Sequence, residues 1–139
     1  MGKIELMFKK ENIRAIATLL EREAPKTCEA FLYSLPIEQE AVHASWSGEC
    51  VLIVPAGVRM VDKLPLENET IFVAPGEIAL YPKGDELLLF YGRGQPCWRT
   101  GPTVVSVFAK VTENLEEFAN QCRKMIKEGS KTLIIKRKE

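Results

Sequence analysis

From residue 42 onward turn residues cut the chain into short β-type runs, and that punctuation constrains the fold more than any other feature. The runs 42–54 (VHASWSGECVLIV), 71–74, 77–81, 87–91 and 103–111 (TVVSVFAKV) are rich in β-branched and aromatic residues, and 132–136 (TLIIK) adds a last one. Pro75-Gly76 and Lys83-Gly84-Asp85 supply turns between them, and Gly48 stands where a bulge or bend costs little. Near the N-terminus 3–10 (KIELMFKK) alternates as a strand does, and Asn12 marks a turn. The segment 14–23 (RAIATLLERE) is ambiguous: its composition favours a helix, while its alternation permits a strand.

Two helical stretches interrupt the β pattern. Pro25 suits the first position of a helix, and Cys28, Phe31, Leu32 and Leu35 then share one apolar face before Pro36 stops it. Asn114 reads as an N-cap with Glu117 as its capping-box partner, and Leu115, Phe118, Ala119, Cys122 and Ile126 line one face up to Gly129. Many short strands with two amphipathic helices predict a mainly β fold, a closed or nearly closed β-barrel capped by the helices. No repeat, low-complexity tract or Gly/Ser/Pro-rich linker divides the sequence, so residues 1–139 are expected to form a single domain.

Charge narrows the range of partners. Nineteen basic residues balance nineteen acidic ones, so no long-range field draws the chain to nucleic acid or to an anionic membrane. The N-terminal stretch from Met1 to Leu6 has no apolar signal region, and no apolar run is long enough to span a bilayer. Cys28, Cys50, Cys97 and Cys122 are widely spaced without a C-x-x-C pair, which favours four reduced thiols and a cytoplasmic location over disulfides or zinc ligands. With one histidine and scattered cysteines, no metal set and no cofactor is implied.

Three stretches carry a family resemblance. Ala24-Pro25-Lys26-Thr27-Cys28-Glu29-Ala30-Phe31 resembles the first helix of cyclophilins, which commonly reads A-P-K-T-x-x-N-F. His43-Ala44-Ser45-Trp46-Ser47-Gly48-Glu49 is the second, and the third is Pro75-Gly76-Glu77-Ile78-Ala79-Leu80-Tyr81-Pro82 followed by Leu89-Phe90-Tyr91-Gly92. Their order is similar to that of a bacterial and archaeal branch of the cyclophilin-like superfamily, a domain family of unknown function. The resemblance implies a cyclophilin-like barrel and tips 14–20 towards a strand. It does not carry the isomerase with it. Active cyclophilins typically have Phe-His-Arg after the first helix and then Gln-Gly-Gly-Asp; here Ala44 and Ser45 follow His43, and no Gln-Gly-Gly occurs. The arginine that would hydrogen-bond near the prolyl nitrogen is therefore missing at the matching place.

The candidate site is a polar strip. In a regular strand His43, Ser45, Ser47 and Glu49 share one face, and a bulge at Gly48 would put Glu49 out of step. Read functionally, the strip recognises a ligand at a barrel mouth, with His43 able to change protonation near neutral pH; read structurally, it is an ordinary solvated face. A Ser–His–Glu hydrolase is conceivable from the same residues, but it would lack an elbow and an oxyanion hole. Trp46, Tyr81, Phe90 and Tyr91 either line a pocket or fill the core, and Glu67-Asn68 is either a turn or an acidic recognition loop. The stretch 92–102 reads as a connection whose Arg93 and Arg99 could hold an anion under Trp98. The expected ligand-binding set is His43, Trp46, Glu49, Tyr91 and Arg93, for a small molecule or peptide. The alternatives are a weak prolyl isomerase and a structural module forming a homodimer through apolar strand edges.

Overall fold

A computed structural model describes residues 2–139; Met1, the first residue of the N-terminal stretch read above, lies outside the described residues. In chain order the elements are β1 (Lys3–Phe8), β2 (Ile13–Leu19), α1 (Pro25–Tyr33), β3 (Ile37–His43), β4 (Gly48–Ile53), β5 (Glu69–Thr70) and β6 (Glu77–Tyr81). They continue with β7 (Glu86–Gly94), β8 (Cys97–Trp98), β9 (Gly101–Pro102), β10 (Val105–Glu113), α2 (Leu115–Glu128) and β11 (Lys131–Lys138). Eight of the strands close on themselves in the antiparallel order β2-β1-β11-β3-β4-β7-β6-β10, and β10 returns to pair with β2. Closure leaves the barrel without a free edge.

Alternation within each strand decides which side chains fill the interior. Ile4, Leu6 and Phe8 of β1, Ala15, Ala17 and Leu19 of β2, and Leu133 and Ile135 of β11 join one buried cluster with inward residues of the other five strands. This is why 14–19 is a strand despite its helical composition: its small residues at every second position face a crowded interior between β1 and β10. Strand register places the helices at opposite mouths. α2 covers the end where β1 finishes, with Phe118 against Phe8 at 4.9 Å between centroids. α1 lies towards the other end, where Phe31 meets Phe108 at 4.8 Å and Arg137 Nη2 donates to Leu32 O. A second apolar cluster, including Cys50, Leu88, Phe90 and Val107, packs on the outer face of β4, β6, β7 and β10.

Several expectations need correction. The run 42–54 is not one strand: β3 ends at His43, residues 44–47 leave the sheet, and β4 begins at Gly48. Residues 71–74 form no strand, because the Thr70 hydroxyl accepts the Phe72 N–H at 2.8 Å and turns the chain after β5. Strand β7 runs on to Gly94, and β8 pairs with β9 as a short hairpin, so 92–102 is more ordered than a plain connection. Asn114 makes no capping box; it sits at φ 62° and its side-chain amide donates to Arg14 O at 2.6 Å. On α2, Met125 takes the buried place expected for Ile126, which is 63% exposed. Pro25 does open α1, but the cap comes from far along the chain. The Glu67 carboxylate accepts the N–H of Lys26 and of Thr27, at 3.2 and 2.7 Å. Glu67 is thus committed to α1 rather than free for recognition.

Candidate functional site

Glycines build the rim at the α2 mouth. Gly48 has φ +80°, and a Cβ there would lie 2.9 Å from both Arg93 O and Gly94 Cα, so β4 and β7 approach more closely than side chains permit. The expected irregularity at Gly48 is present: Gly48 pairs with Gly94 while Cys50 pairs with Phe90, leaving three β7 residues opposite Glu49. The inserted backbone is used at once, since Arg93 N–H donates to Glu49 Oε1 at 2.9 Å. Ser47 clips the preceding loop to the β8–β9 hairpin, donating to Cys97 O at 3.2 Å and accepting Cys97 N–H at 3.1 Å.

Register then gathers the predicted residues. His43 pairs with Val51, an interior residue, so His43 and Glu49 both lie on the inward face, on different strands. Tyr91 continues that face on β7 and Arg93 follows two residues later. Tyr91, 4% exposed, donates its O–H to His43 Nε2 at 2.8 Å. The other ring nitrogen, Nδ1, lies 2.9 Å from Ala44 O, which can only accept, so Nδ1 carries a proton and, in the neutral imidazole, Nε2 is the acceptor for the Tyr91 hydroxyl. Arg123 of α2 closes the group. Its guanidinium stands 5.3 Å over the Tyr91 ring and its Nη2 reaches Glu49 Oε2 at 3.3 Å.

Electrostatics follow from these contacts. The Arg93 backbone N–H, against a smaller desolvation cost, and then Arg123 hold the Glu49 carboxyl below its ordinary value. Burial, helped by the Glu49 charge, pushes the Tyr91 phenol up, keeping it a neutral donor towards His43. Burial also raises the Cys28 thiol to about 12 and pushes Cys50 and Cys122 upwards, so none of these three is an available nucleophile.

Trp46 stands apart from this cluster on the neighbouring loop, 49% exposed. It is stacked rather than isolated: Trp98 lies 6.0 Å away at 49°, and the Arg99 guanidinium sits 5.7 Å over its ring. Among the described residues neither Arg93 nor Arg99 forms a side-chain ion pair. The expected Ser–His–Glu strip does not form on one strand, because Ser45 and Ser47 lie in the loop between β3 and β4, and Nε2 of His43 is engaged by Tyr91. Phe90 is core, at 1% exposed, and Tyr81 is half-buried on the outer cluster. Arg123 was missed by sequence reasoning. On a helix whose polar face carries many charges, nothing local marks the one that meets Glu49 across 74 residues.

The molecule is thus a small closed-barrel protein, mainly β, with a helix at each mouth and a hydrogen-bonded polar group on one rim. It belongs to the family described as "Protein of unknown function (DUF3830)", which it matches over residues 6–136. No curated protein matches it. Among solved structures it is similar to McbB in complex with tryptophan, with TM-score 0.75 and 17% identity, covering 97% of this chain and 44% of that one. It therefore spans less than half the length of McbB. It is also similar to the hypothetical protein AF2241 from Archaeoglobus fulgidus, with TM-score 0.70 and 19% identity, covering 99% of this chain and 95% of that one. At these identities the likeness concerns the fold. No helix among the described residues is long and apolar enough to cross a membrane.

Proposed function

We propose that this protein is a binding protein of the cyclophilin-like type, taking a small molecule or a peptide at the α2-side rim through His43, Trp46, Glu49, Tyr91 and Arg93. One observation carries the reading: a fixed polar group lies on the inward face, and the neighbouring loop, the end of β7 and the β8–β9 hairpin hold two half-exposed tryptophans and two arginines that form no side-chain ion pair among the described residues. Rigid donors and acceptors beside an aromatic surface suit recognition of a planar group bearing an anionic end. Glu49 and His43 are positioned by Arg93, Arg123 and Tyr91, so ordering them costs little on binding. An eight-stranded closed antiparallel barrel with two helices is also what the cyclophilin resemblance leads one to expect. The stretch from Ala24 to Phe31, which motivates the isomerase alternative, forms α1 and its cap at the opposite mouth, where Thr27, Cys28 and Phe31 are buried. That part of the match reflects packing and lends no support to the isomerase reading.

Thermal melting of wild type and His43→Ala, each alone and against aromatic carboxylates and proline-containing peptides, tests the proposal. The expected result is a ligand-induced rise in Tm for wild type that His43→Ala loses, with the variant melting within a few degrees of wild type. If no compound shifts wild type and His43→Ala melts far below it, the imidazole is a structural residue and the proposal fails.

A further inference from the structure

A concavity lies at the other end of the barrel, on the α1 side, and shares no residue with the rim. It is a groove of about 470 Å³, within the range of small-ligand sites. Its apolar surface comes from Ala30 and Tyr33 of α1 and from Met60 and Leu64 of the facing segment. Lys26, Arg59 and Lys63 border it against the single carboxylate of Glu29. Among the described residues none of these three cations is in an ion pair.

The walls are tied together. Ser34 Oγ donates to Ala30 O and accepts the Arg59 N–H, both at 2.8 Å, joining the end of α1 to the facing segment. The Asp85 carboxylate accepts the Gly57 and Val58 N–H groups at 3.1 and 3.3 Å and fixes that segment at its start. Met60 is held at φ 52°, a left-handed conformation that an unbranched apolar side chain seldom adopts, and is 69% exposed. Glycine would fit that backbone better, so the thioether is kept where it costs stability and lines the groove.

We propose that this groove binds a small amphiphilic anion, an aromatic or medium-chain carboxylate whose apolar part lies on Met60 and Tyr33 and whose charge meets Arg59 and Lys63. The net positive border selects the sign of the charge, and the apolar lining selects the rest of the molecule.

Anilinonaphthalene sulfonate serves as the probe, read by its fluorescence on the folded protein. A saturable component lost on reversing the groove's charges is expected, with octanoate displacing the probe from it and octyltrimethylammonium failing to. Arg59→Glu with Lys63→Glu weakens probe binding at least tenfold. Met60→Gly weakens it several-fold while melting at or above the wild-type temperature, which separates lost contact from lost folding. Lys110→Ala, an exposed position outside both the groove and the rim, leaves the affinity unchanged. The proposal is overturned if the probe does not saturate, if the charge-reversed variant binds as tightly as wild type, or if the cationic amphiphile competes as well as octanoate.

Discussion

Glu86 shows how one side chain can be carried at a cost. It is 4% exposed at the start of β7, and its Oε2 has no hydrogen-bond partner among the described residues. Desolvation raises its pKa above the ordinary 4.5. A carboxyl whose folded pKa is raised penalises the folded state above the unfolded value, and the penalty disappears as pH falls below about 4.5. Glu86→Gln should therefore raise Tm at pH 7.5 by about 3 °C, equivalent to about 1 kcal/mol, with the gap closing at pH 4. A lower Tm for Glu86→Gln at neutral pH would contradict this. Tyr91 is the opposite case, since its hydroxyl is the partner that satisfies His43 Nε2. Tyr91→Phe should cost about 1 kcal/mol in urea unfolding, and an unchanged midpoint would show the bond to be incidental.

At the scale of elements, the β4–β7 junction and the tie between α2 and the β1–β2 turn bear most directly on the rim. Gly48→Ala must both force a left-handed Cβ and move the Arg93 and Gly94 backbone. A loss of about 2 kcal/mol is expected from chemical denaturation, together with loss of rim binding. Lys131, its side chain 10% exposed, binds Glu11 at 2.9 Å and Glu128 at 2.7 Å. Glu11 is desolvated, which opposes ionisation, yet its bond to Lys131 leaves its pKa lowered; Glu128 is lowered by the same lysine. Carboxyls with lowered folded pKa values stabilise above the unfolded value and lose that stability as pH falls through the lowered one. Lys131→Met should thus lower Tm at pH 7, and the difference from wild type should shrink on acidification below about 4.5. A difference independent of pH would assign the loss to packing of the lysine stem instead.

What was legible in the sequence was what local chemistry dictates. Gly84-Asp85 and Pro75-Gly76 bound β6 where turn residues require it, and Gly48 marks the bulge. The split after His43 was not legible, because β-type composition continues through Trp46 while the loop is held by distant partners, Cys97 on the Ser47 hydroxyl and the Gln95 N–H on Ser47 O. The cap on α1 by Glu67 and the Arg123–Glu49 pair join residues 40 and 74 positions apart, and no local pattern encodes them.

For the whole molecule, closure divides the surface into two mouths with different chemistry. The α2 mouth carries hydrogen-bonded polar groups and stacked indoles, while the α1 side carries an apolar groove bordered by cations. Because the barrel between them is filled by side chains from all eight strands, substitutions on one mouth should leave affinity at the other unchanged. The most direct measurement is intrinsic fluorescence, since Trp46 and Trp98, the chain's two tryptophans, both stand at the proposed rim site. Titration with aromatic carboxylates and short peptides should give a saturable change in the emission of wild type. Arg93→Glu should abolish that change while melting within a few degrees of wild type. A flat titration across the panel, or an Arg93→Glu variant that titrates as wild type does, would contradict the account of the rim as a binding site.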